Sequence, residues 1–384
     1  MHLTEYVISV ANKSFSRLPF NEVDALVFAQ LSYYDYSVFE DGISFKEIKS
    51  HKNIFKATDL KNLRGDKIDE KMFNLVIGSK RYEDTIIKWH TLTMQKKPAT
   101  QFSATTFINN DLGVIAFRGT DGTVIGWHED LDMTYQFPIP SQVLAQRYIN
   151  DVLPKMDVKD IKVVGHSKGG NIAVYAAVMT KSRYQKYISD AYNFDGPGFV
   201  QAFYDLDNYY AIKDRIHKFV PVQSSIGRMM LTMGDFKVIK SDESYVMQHW
   251  AHNWKIVGNH FEYAKETDFF SESVEESSMN VLESLSPEER RDAVSTMFEI
   301  LDKTNCEYMD DITLKFDKVM ICIKEYAGLK EKNANVKRFI TELFKPMIKA
   351  YYEKGKETAQ VKFNIKKDEI VEKVKSIFKR DDLD

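Results

Sequence analysis

The chain has 384 residues, of which 43% are hydrophobic and 28% are charged, and its formal net charge is -3. A chain of this length and hydrophobic content can bury a large core and a second small one, which excludes a protein that is disordered throughout. Because the charges nearly balance, there is no global positive field, and we expect no nucleic-acid partner.

The number and spacing of the cysteines indicate the redox state of the compartment in which the protein is found. The two cysteines, Cys306 and Cys322, are far apart in the sequence, in a spacing that suits neither a disulfide framework nor a metal site. This usage is typical of a reducing compartment, so we predict a cytoplasmic protein. We also expect no signal peptide at the start of the chain and no membrane-spanning helix.

The N-terminal part of the chain is predicted to be helical. Asn21 is a polar N-cap, and apolar residues recur from Ala25 to Leu31 with helical spacing. Residues 40–98 are charged and mostly helical in pattern, with residues 61–64, 69–73 and 82–90 as their helical stretches. We predict that residues 1–98 form a helical cover that belongs to the same domain as the sheet that follows, and that residues 40–98 act as a lid or as a wall of the binding site.

Strand signals begin near residue 99. Residues 100–108 and 112–117 are β-prone and are joined by the turn residues Asn109, Asn110 and Asp111, which predicts a hairpin. The helices and strands predicted after the hairpin alternate: helix 141–152, strand 161–164, helix 171–179, and strands 191–194, 216–222 and 236–239. This order predicts a mostly parallel sheet covered by helices on both faces, over residues 99–265.

Residues 266–384 are predicted to form a helical C-terminal region. Ser286 is a capping residue followed by Pro287, with Glu289 at the third helical position, which is a strong helix start. Further helices are indicated by Phe339, Leu343 and Phe344, with a disturbance at Pro346, and by the apolar stripe Ile370, Val374, Ile377 and Phe378. The mixed charges around that stripe favour packing on the protein itself over contact with a membrane surface or a partner.

The candidate nucleophile is Ser167. A short apolar strand ends in Gly165 and His166, and a helix of small residues follows Lys168 and Gly169. Glycines on both sides of the serine remove the Cβ atoms that would clash in a sharp turn. The pattern predicts a nucleophile elbow, in which the serine hydroxyl projects from the tip of a strand. A glycine-rich strand-to-helix turn without chemistry is the alternative.

A serine nucleophile also needs donors for the oxyanion that forms during attack. The strand at residues 114–117 runs into Arg118, Gly119 and Thr120. We assign Thr120 and the backbone N–H of Lys168 to the oxyanion hole. An ordinary turn is the alternative for Thr120, and Arg118 is expected to hold the loop through carboxylates such as Asp130.

His249 is the candidate base, with His252 as second choice. His249 follows the strand at residues 236–239 by a short loop, whereas His217 lies inside a predicted strand. His249 and His252 are three residues apart, but no carboxylate at matching spacing accompanies them, so we expect no metal site. The alternative is an aromatic loop, with Trp250 and Trp254, whose histidines only form hydrogen bonds.

The acid that would orient the base is harder to place. The strand at residues 216–222 would ordinarily present an aspartate at its end, but it is followed by Gln223, Ser224 and Ser225. We assign the acid to Asp195, which ends the preceding strand. Capping of the next helix or fixing of the Gly-Pro-Gly turn at residues 196–198 is an equally good interpretation of Asp195.

Four blocks of the sequence together resemble one family. The blocks are residues 117–120 with 127–131, residues 165–171, residues 193–199, and residues 248–249 with Trp254. Across residues 20–265 the chain is similar to the uncharacterised bacterial branch of α/β-hydrolases related to class 3 lipases. The serine motif of class 3 lipases is commonly Gly-His-Ser-Leu-Gly, and Lys168 replaces the leucine here, as is typical of that branch.

This resemblance implies an α/β-hydrolase fold with a mostly parallel sheet, to which the helical C-terminal region is added. It also implies that Ser167 is the nucleophile, Thr120 the oxyanion residue and His249 the base. The lipase aspartate does not transfer, because Gln223, Ser224 and Ser225 occupy the matching segment.

The function predicted from the sequence is a serine hydrolase that cleaves carboxylic esters, with a lipid or lysolipid acyl ester as substrate, no cofactor, and a possible peripheral membrane contact. The oligomeric state stays open. A catalytically weak or inactive hydrolase-fold protein that acts as a binding or regulatory module is the alternative, because the orienting aspartate is missing. A thioesterase or peptidase on the same scaffold differs only in the leaving group.

Overall fold

The computed structural model describes residues 1–50, 66–309, 311, 334–339, 341–343 and 345–346. Its strands are β1 Ile86–Lys96, β2 Ala99–Asn109, β3 Leu112–Phe117, β4 Asp160–His166, β5 Ile188–Phe194, β6 Ile216–Pro221, β7 Phe236–Ile239, β8 Ile256–Val257, β9 His260–Phe261 and β10 Tyr263–Ala264. Its helices are α1 Leu3–Val10, α2 Glu22–Leu31, α3 Phe45–Ser50, α4 Asp66–Gly78, α5 Val124–Asp132, α6 Pro140–Val152, α7 Lys168–Val178, α8 Ser182–Gln185, α9 Gln201–Tyr204, α10 Asp207–Ile212, α11 Phe269–Ser284 and α12 Pro287–Lys303.

The main sheet of the described residues has eight strands in the order β1-β2-β3-β4-β5-β6-β7-β10. Neighbours from β3 to β7 run parallel, while β1, β2 and β3 pair antiparallel and β10 pairs antiparallel with β7. The hairpin and the mostly parallel sheet predicted from the sequence are confirmed, and the architecture is that of an α/β-hydrolase. Because parallel strands end at the same edge, the loops that follow β3, β4, β5 and β6 meet there.

Alternate residues of the strands belong to two hydrophobic cores, one on each face of the sheet. On β3, Val114 and Ala116 pack with residues of α1 to α4, whereas Ile115 and Phe117 pack with residues of α6, α7, α9 and α10. This alternation follows from the two-residue period of a strand. Helices therefore cover both faces of the sheet, as the alternating sequence pattern predicts.

The N-terminal cover is less helical than predicted. Helix α2 begins after the Asn21 cap, as expected, and residues 69–73 lie in α4. The helical prediction for residues 82–90 is wrong, because Ile86 to His90 begin the edge strand β1, which pairs with β2. Residues 61–64 lie outside the described residues. The division of the chain at residues 98 and 265 stays a prediction.

The C-terminal region begins with two helices that pack against α5. Helix α12 starts with the predicted capping box of Ser286 and Glu289, and Val281, Val294 and Phe298 share a core with Val124 of α5. Phe339 and Leu343 belong to the same core, in residues that are helical, and the helical conformation includes Pro346. Phe344 and the stripe at residues 370–378 lie outside the described residues. None of the described helices combines the length and apolarity that crossing a bilayer requires.

Candidate active site

Ser167 stands at a sharp turn between β4 and α7. Strand β4 ends at His166 and α7 begins at Lys168, so the chain reverses within one residue, and Ser167 has φ 58° and ψ -135°. A Cβ atom at Gly165 would overlap the carbonyl of Gly169, and one at Gly169 would overlap the carbonyl of Phe117. These close approaches explain why both positions are glycine. The strand, turn and helix expected around Ser167 are all present.

The structure brings together the three residues proposed as nucleophile, base and acid. His249 Nε2 lies 3.0 Å from Ser167 Oγ, and His249 Nδ1 lies 2.6 Å from Asp195 Oδ2. All three residues are buried, at 6%, 3% and 0% exposure for Ser167, His249 and Asp195 respectively. The other two histidines considered pair elsewhere: His252 Nε2 lies 2.5 Å from Asp69 Oδ1, and His217 Nε2 lies 2.6 Å from Asp190 Oδ1.

The carboxylate of Asp195 is held by the segment in which the sequence lacks an aspartate. Ser224 Oγ donates to Asp195 Oδ1 at 2.6 Å, and the Gly227 N–H donates to the same oxygen at 3.1 Å. Oδ2 is thereby left for His249. The alternative role of Asp195 in the Gly-Pro-Gly turn falls instead to Asn193, whose Oδ1 accepts from the Gly196 N–H at 2.7 Å.

Burial dominates the electrostatics of Asp195. It raises the pKa of the Asp195 carboxyl to about 7, because a charged carboxylate loses its hydration in the interior. The hydrogen bond from Ser224, the positive charges of His166 and Lys218, and the Gly227 N–H oppose this rise. The carboxyl group therefore titrates in the neutral range and not near its usual value.

Several residues that position His249 are not evident from the sequence. His166 Nε2 lies 2.9 Å from the backbone oxygen of His249, and the two rings stack with centroids 4.8 Å apart. Trp254 Nε1 donates to the Gln248 carbonyl at 2.7 Å, and Gln248 Oε1 accepts from the Gln223 N–H at 2.8 Å. In the sequence, His166, Gln248 and Trp254 belong to the blocks that carry the family resemblance, but no local pattern indicates that they position His249.

The loop after β3 passes directly beside Ser167. A Cβ atom at Gly119 would lie 3.1 Å from the Cβ of Ser167. Thr120 Oγ1 donates to Asp130 Oδ2 at 2.6 Å, so the hydroxyl proton of Thr120 is already engaged. If Thr120 serves as an oxyanion donor, as predicted, the group left for that role is its backbone N–H. Arg118 pairs with Asp121 at 3.4 Å and not with Asp130.

The side chain of Lys168 is buried in a polar cluster beneath the same loop. Its Nζ lies 2.9 Å from Gln101 Oε1 and 3.0 Å from Glu129 Oε2, and the side chain is 1% exposed. Glu129 also accepts from the Gln101 N–H at 2.9 Å and from the Ser141 N–H at 2.8 Å. The cluster links the first residue of α7 to β2, α5 and α6, which fixes the direction of the Lys168 N–H.

A mostly apolar cavity of about 490 Å³ opens beside Ser167 and His249. Its apolar lining consists of Trp127, Leu131, Met133, Ile226, Met229, Met230, Val246, Met247, Trp250, Leu282 and Leu343. The prediction that residues 40–98 form a wall of the site is wrong for the described residues, because none of them lines this cavity. Leu282 and Leu343 show that the C-terminal region contributes to the wall instead.

The described residues offer no obvious metal site. No group of three or more histidine, cysteine, aspartate or glutamate side chains among them could hold a metal ion. His249 and His252, which are close in sequence, contact different carboxylates, Asp195 and Asp69.

We expect Lys168→Met to destabilise the protein. Removing the ammonium leaves the Glu129 carboxylate buried without its cation, which should lower the free energy of unfolding by about 3–5 kcal/mol. Urea unfolding measures this change. Lys155→Met, at an exposed lysine, is the matched control and should change the stability by less than about 0.5 kcal/mol. Equal effects of the two substitutions would contradict a structural role for the Lys168 cation.

Two solved lipase structures are similar to the chain. One, described as the crystal structure of M37 lipase, is 15% identical with a TM-score of 0.36, and the match covers 54% of this chain and 68% of that chain. The other, described as showing an unusual buried polar cluster in a family of fungal lipases, is 15% identical with a TM-score of 0.41, and covers 64% of this chain and 84% of that chain. No curated protein matches the chain significantly.

The family is shown by a match of a different kind. The model of the family described as Mbeg1-like matches residues 76–299, which is more than half of the 384 residues. The matched range contains β2 to β7, the Ser167 turn and both His249 and Asp195. The chain belongs to the Mbeg1-like family.

Proposed function

We propose that the protein is a serine hydrolase that cleaves carboxylic esters through an acyl-enzyme on Ser167. The observation that carries this proposal is the continuous hydrogen-bonded chain from Ser167 Oγ to His249 Nε2 at 3.0 Å and from His249 Nδ1 to Asp195 Oδ2 at 2.6 Å. An activated serine requires a base within hydrogen-bonding reach and a third group that orients the base. The contact between Asp195 and His249 also favours this proposal over a non-catalytic binding module, which was considered because the lipase aspartate is missing.

The reaction follows from these contacts. Ser167 Oγ attacks the ester carbonyl carbon while His249 Nε2 takes the hydroxyl proton, and Asp195 stabilises the imidazolium through Nδ1. The tetrahedral intermediate collapses with cleavage of the C–O bond, and His249 Nε2 gives its proton to the departing alcohol. A water molecule, deprotonated by His249, then attacks the acyl carbon. The bond to Ser167 Oγ breaks as His249 Nε2 returns the proton to Oγ, which releases the carboxylic acid and restores Ser167.

The proposed oxyanion donors are the backbone N–H groups of Thr120 and Lys168. Lys168 is the first residue of α7, so its N–H points out of a helix N-terminus, where the helix dipole favours negative charge. The Thr120–Asp130 hydrogen bond and the Lys168–Glu129 ion pair hold both donors in place before substrate binds. Donors that are fixed in advance need no reorganisation as the negative charge develops.

The substrate class is suggested by the cavity beside Ser167. Its volume of about 490 Å³ and its apolar side chains suit an aliphatic acyl chain, which supports lipid or lysolipid esters as substrates. Two lining residues at its mouth, Val246 and Met247, are 47% and 40% exposed, which favours a peripheral contact with a lipid surface. We place the reaction in the cytoplasm on the basis of cysteine usage.

The proposal predicts covalent labelling at Ser167. The folded wild-type protein should react with a fluorophosphonate probe at neutral pH, and Ser167→Ala should abolish the labelling because the attacking oxygen is gone. His249→Ala removes the base and Asp195→Asn disturbs its orientation, so both should slow ester hydrolysis strongly, by about 10⁴-fold for Asp195→Asn. Gel fluorescence and ester kinetics measure the two effects.

The control for this experiment is His217→Ala, which removes a histidine that pairs with Asp190 away from Ser167. It should leave labelling and turnover within about twofold of wild type. Labelling that persists in Ser167→Ala, or a folded wild-type protein that neither labels nor hydrolyses esters, would exclude the proposed mechanism.

A pH profile tests the electrostatics of the acid. Because the pKa of Asp195 is raised to about 7, its carboxylate is lost as the pH falls below neutrality, and kcat/KM should decline with an apparent pKa near 7 that belongs to the Asp195–His249 pair. Ser224→Ala removes a hydrogen bond that lowers this pKa and should shift the inflection upward by up to about one pH unit.

Ser273→Ala, on the exposed side of α11, is the matched control and should leave the profile unchanged. An activity that stays constant down to pH values of about 5 would show that no group titrating near neutrality is required.

The cavity predicts a dependence on acyl-chain length. Leu282→Trp places a larger side chain in the cavity and should lower the ratio of kcat/KM for an octanoyl ester to that for an acetyl ester by at least about tenfold. Val257→Trp, at an exposed valine outside the cavity, should leave the ratio unchanged. A ratio that is the same in both variants would mean that the acyl chain binds elsewhere.

A further inference from the structure

A second cavity, of about 400 Å³, lies next to the ends of β5 and β6. It shares only Pro197 with the lining of the cavity beside Ser167, and none of Ser167, His249 and Asp195 lines it. The proposed hydrolytic mechanism therefore makes no use of this cavity. Its volume falls within the range of small-molecule sites.

One buried cation lies in the wall of this second cavity. Lys218 of β6 stands opposite Asn193 of β5 and is 7% exposed, and its Nζ donates to the Thr232 hydroxyl at 2.7 Å. Lys218 and Thr232 both line the cavity. An ammonium group has three donors, and among the described residues only the Thr232 hydroxyl accepts a hydrogen bond from it and no carboxylate forms an ion pair with it.

The surrounding charges do not supply a counterion. Asp195 and Glu275 attract the Lys218 cation from a distance, while Arg228 repels it, and burial lowers the pKa of Lys218 to about 7. Both oxygens of Asp195 are already occupied, Oδ2 by His249 and Oδ1 by Ser224 and Gly227. An anion that entered the cavity and contacted Lys218 Nζ would stabilise the protonated form of this lysine.

The other residues that line the cavity indicate what charge and what polarity a bound anion would have. Phe199, Tyr204 and Tyr209 form aromatic walls, and both tyrosine hydroxyls already donate, to the carbonyls of Leu231 at 2.8 Å and Met233 at 3.3 Å. The exposed residues of the lining include Lys213, Asp214 and Asp235, so two carboxylates lie on the solvent side. These carboxylates disfavour a multiply charged anion, whereas the aromatic walls favour an apolar body.

We propose that the second cavity is a binding site for a small organic monocarboxylate, whose carboxylate pairs with Lys218 Nζ and whose apolar body lies against Phe199, Tyr204 and Tyr209. The site is separate from the proposed esterase centre. Binding involves no covalent step, and the proposal does not depend on the proposed hydrolysis, although the charge of Lys218 acts on Asp195 through space.

Benzoate, benzamide and inorganic phosphate, titrated by calorimetry into the full chain, test this proposal. Benzoate should bind, while benzamide, which has the same shape without the charge, and phosphate should each bind at least about tenfold more weakly. Lys218→Met keeps the length of the side chain without its charge and should weaken benzoate binding by a similar factor. Lys237→Met, at an exposed lysine of the neighbouring strand β7, should have no effect.

Two further measurements locate the ligand. Leu282→Trp narrows only the cavity beside Ser167, so benzoate binding should be unchanged, and its loss there would overturn the proposal. If Lys218→Met does not fold, calorimetry of the wild-type protein at pH 8 in two buffers of different ionisation enthalpy should detect proton uptake on benzoate binding, because the anion favours the protonated lysine. Equal binding of benzamide and benzoate, tighter binding of phosphate, or no proton uptake would also overturn it.

Discussion

The candidate site depends on one backbone constraint, the reversal of the chain at Ser167. Gly165 and Gly169 approach backbone carbonyls so closely that no side chain fits at either position, and Ser167 itself takes a positive φ of 58°. The turn places the serine hydroxyl at the edge where the parallel strands end. The loop after β3, Asp195 after β5 and Ser224 after β6 lie at this edge too, so that Asp195 contacts His249 and Ser224 contacts Asp195.

The parallel sheet explains how Asp195, the proposed acid, reaches His249 although it follows β5 and not β6. Strands β5 and β6 are neighbours in register, with Phe194 opposite Phe219, so the residues after them are adjacent. A carboxylate from Asp195 therefore reaches the same imidazole, and Ser224, which follows β6, donates to that carboxylate at 2.6 Å. In the proposed site, Asp195 supplies the carboxylate and Ser224 fixes its orientation, so two residues together perform the role of a single aspartate.

Local patterns made much of this predictable from the sequence, and long-range contacts account for what was missed. Strand β7 occupies the predicted residues 236–239, because short β-branched runs between turn residues depend little on their surroundings. Strand β1 lies at the edge and is mostly half-buried or exposed, so its polar residues resemble a helical surface, and its strand conformation comes from pairing with β2. The contribution of Leu282 and Leu343 to the cavity depends on how the C-terminal region packs against α5, which no local pattern encodes.

Two buried lysines, Lys168 at the start of α7 and Lys218 within β6, differ in how their charge is compensated. Lys168 has Glu129 at 3.0 Å and Gln101 at 2.9 Å, so its charge is compensated within the fold and its role is to hold the loop that carries Thr120. Lys218 has one neutral hydroxyl partner and lines a cavity, so its compensation has to come from outside the described fold. A buried charge that is paired within the fold stabilises the structure. A buried charge that lines a cavity without such a partner favours binding of an ion of opposite charge.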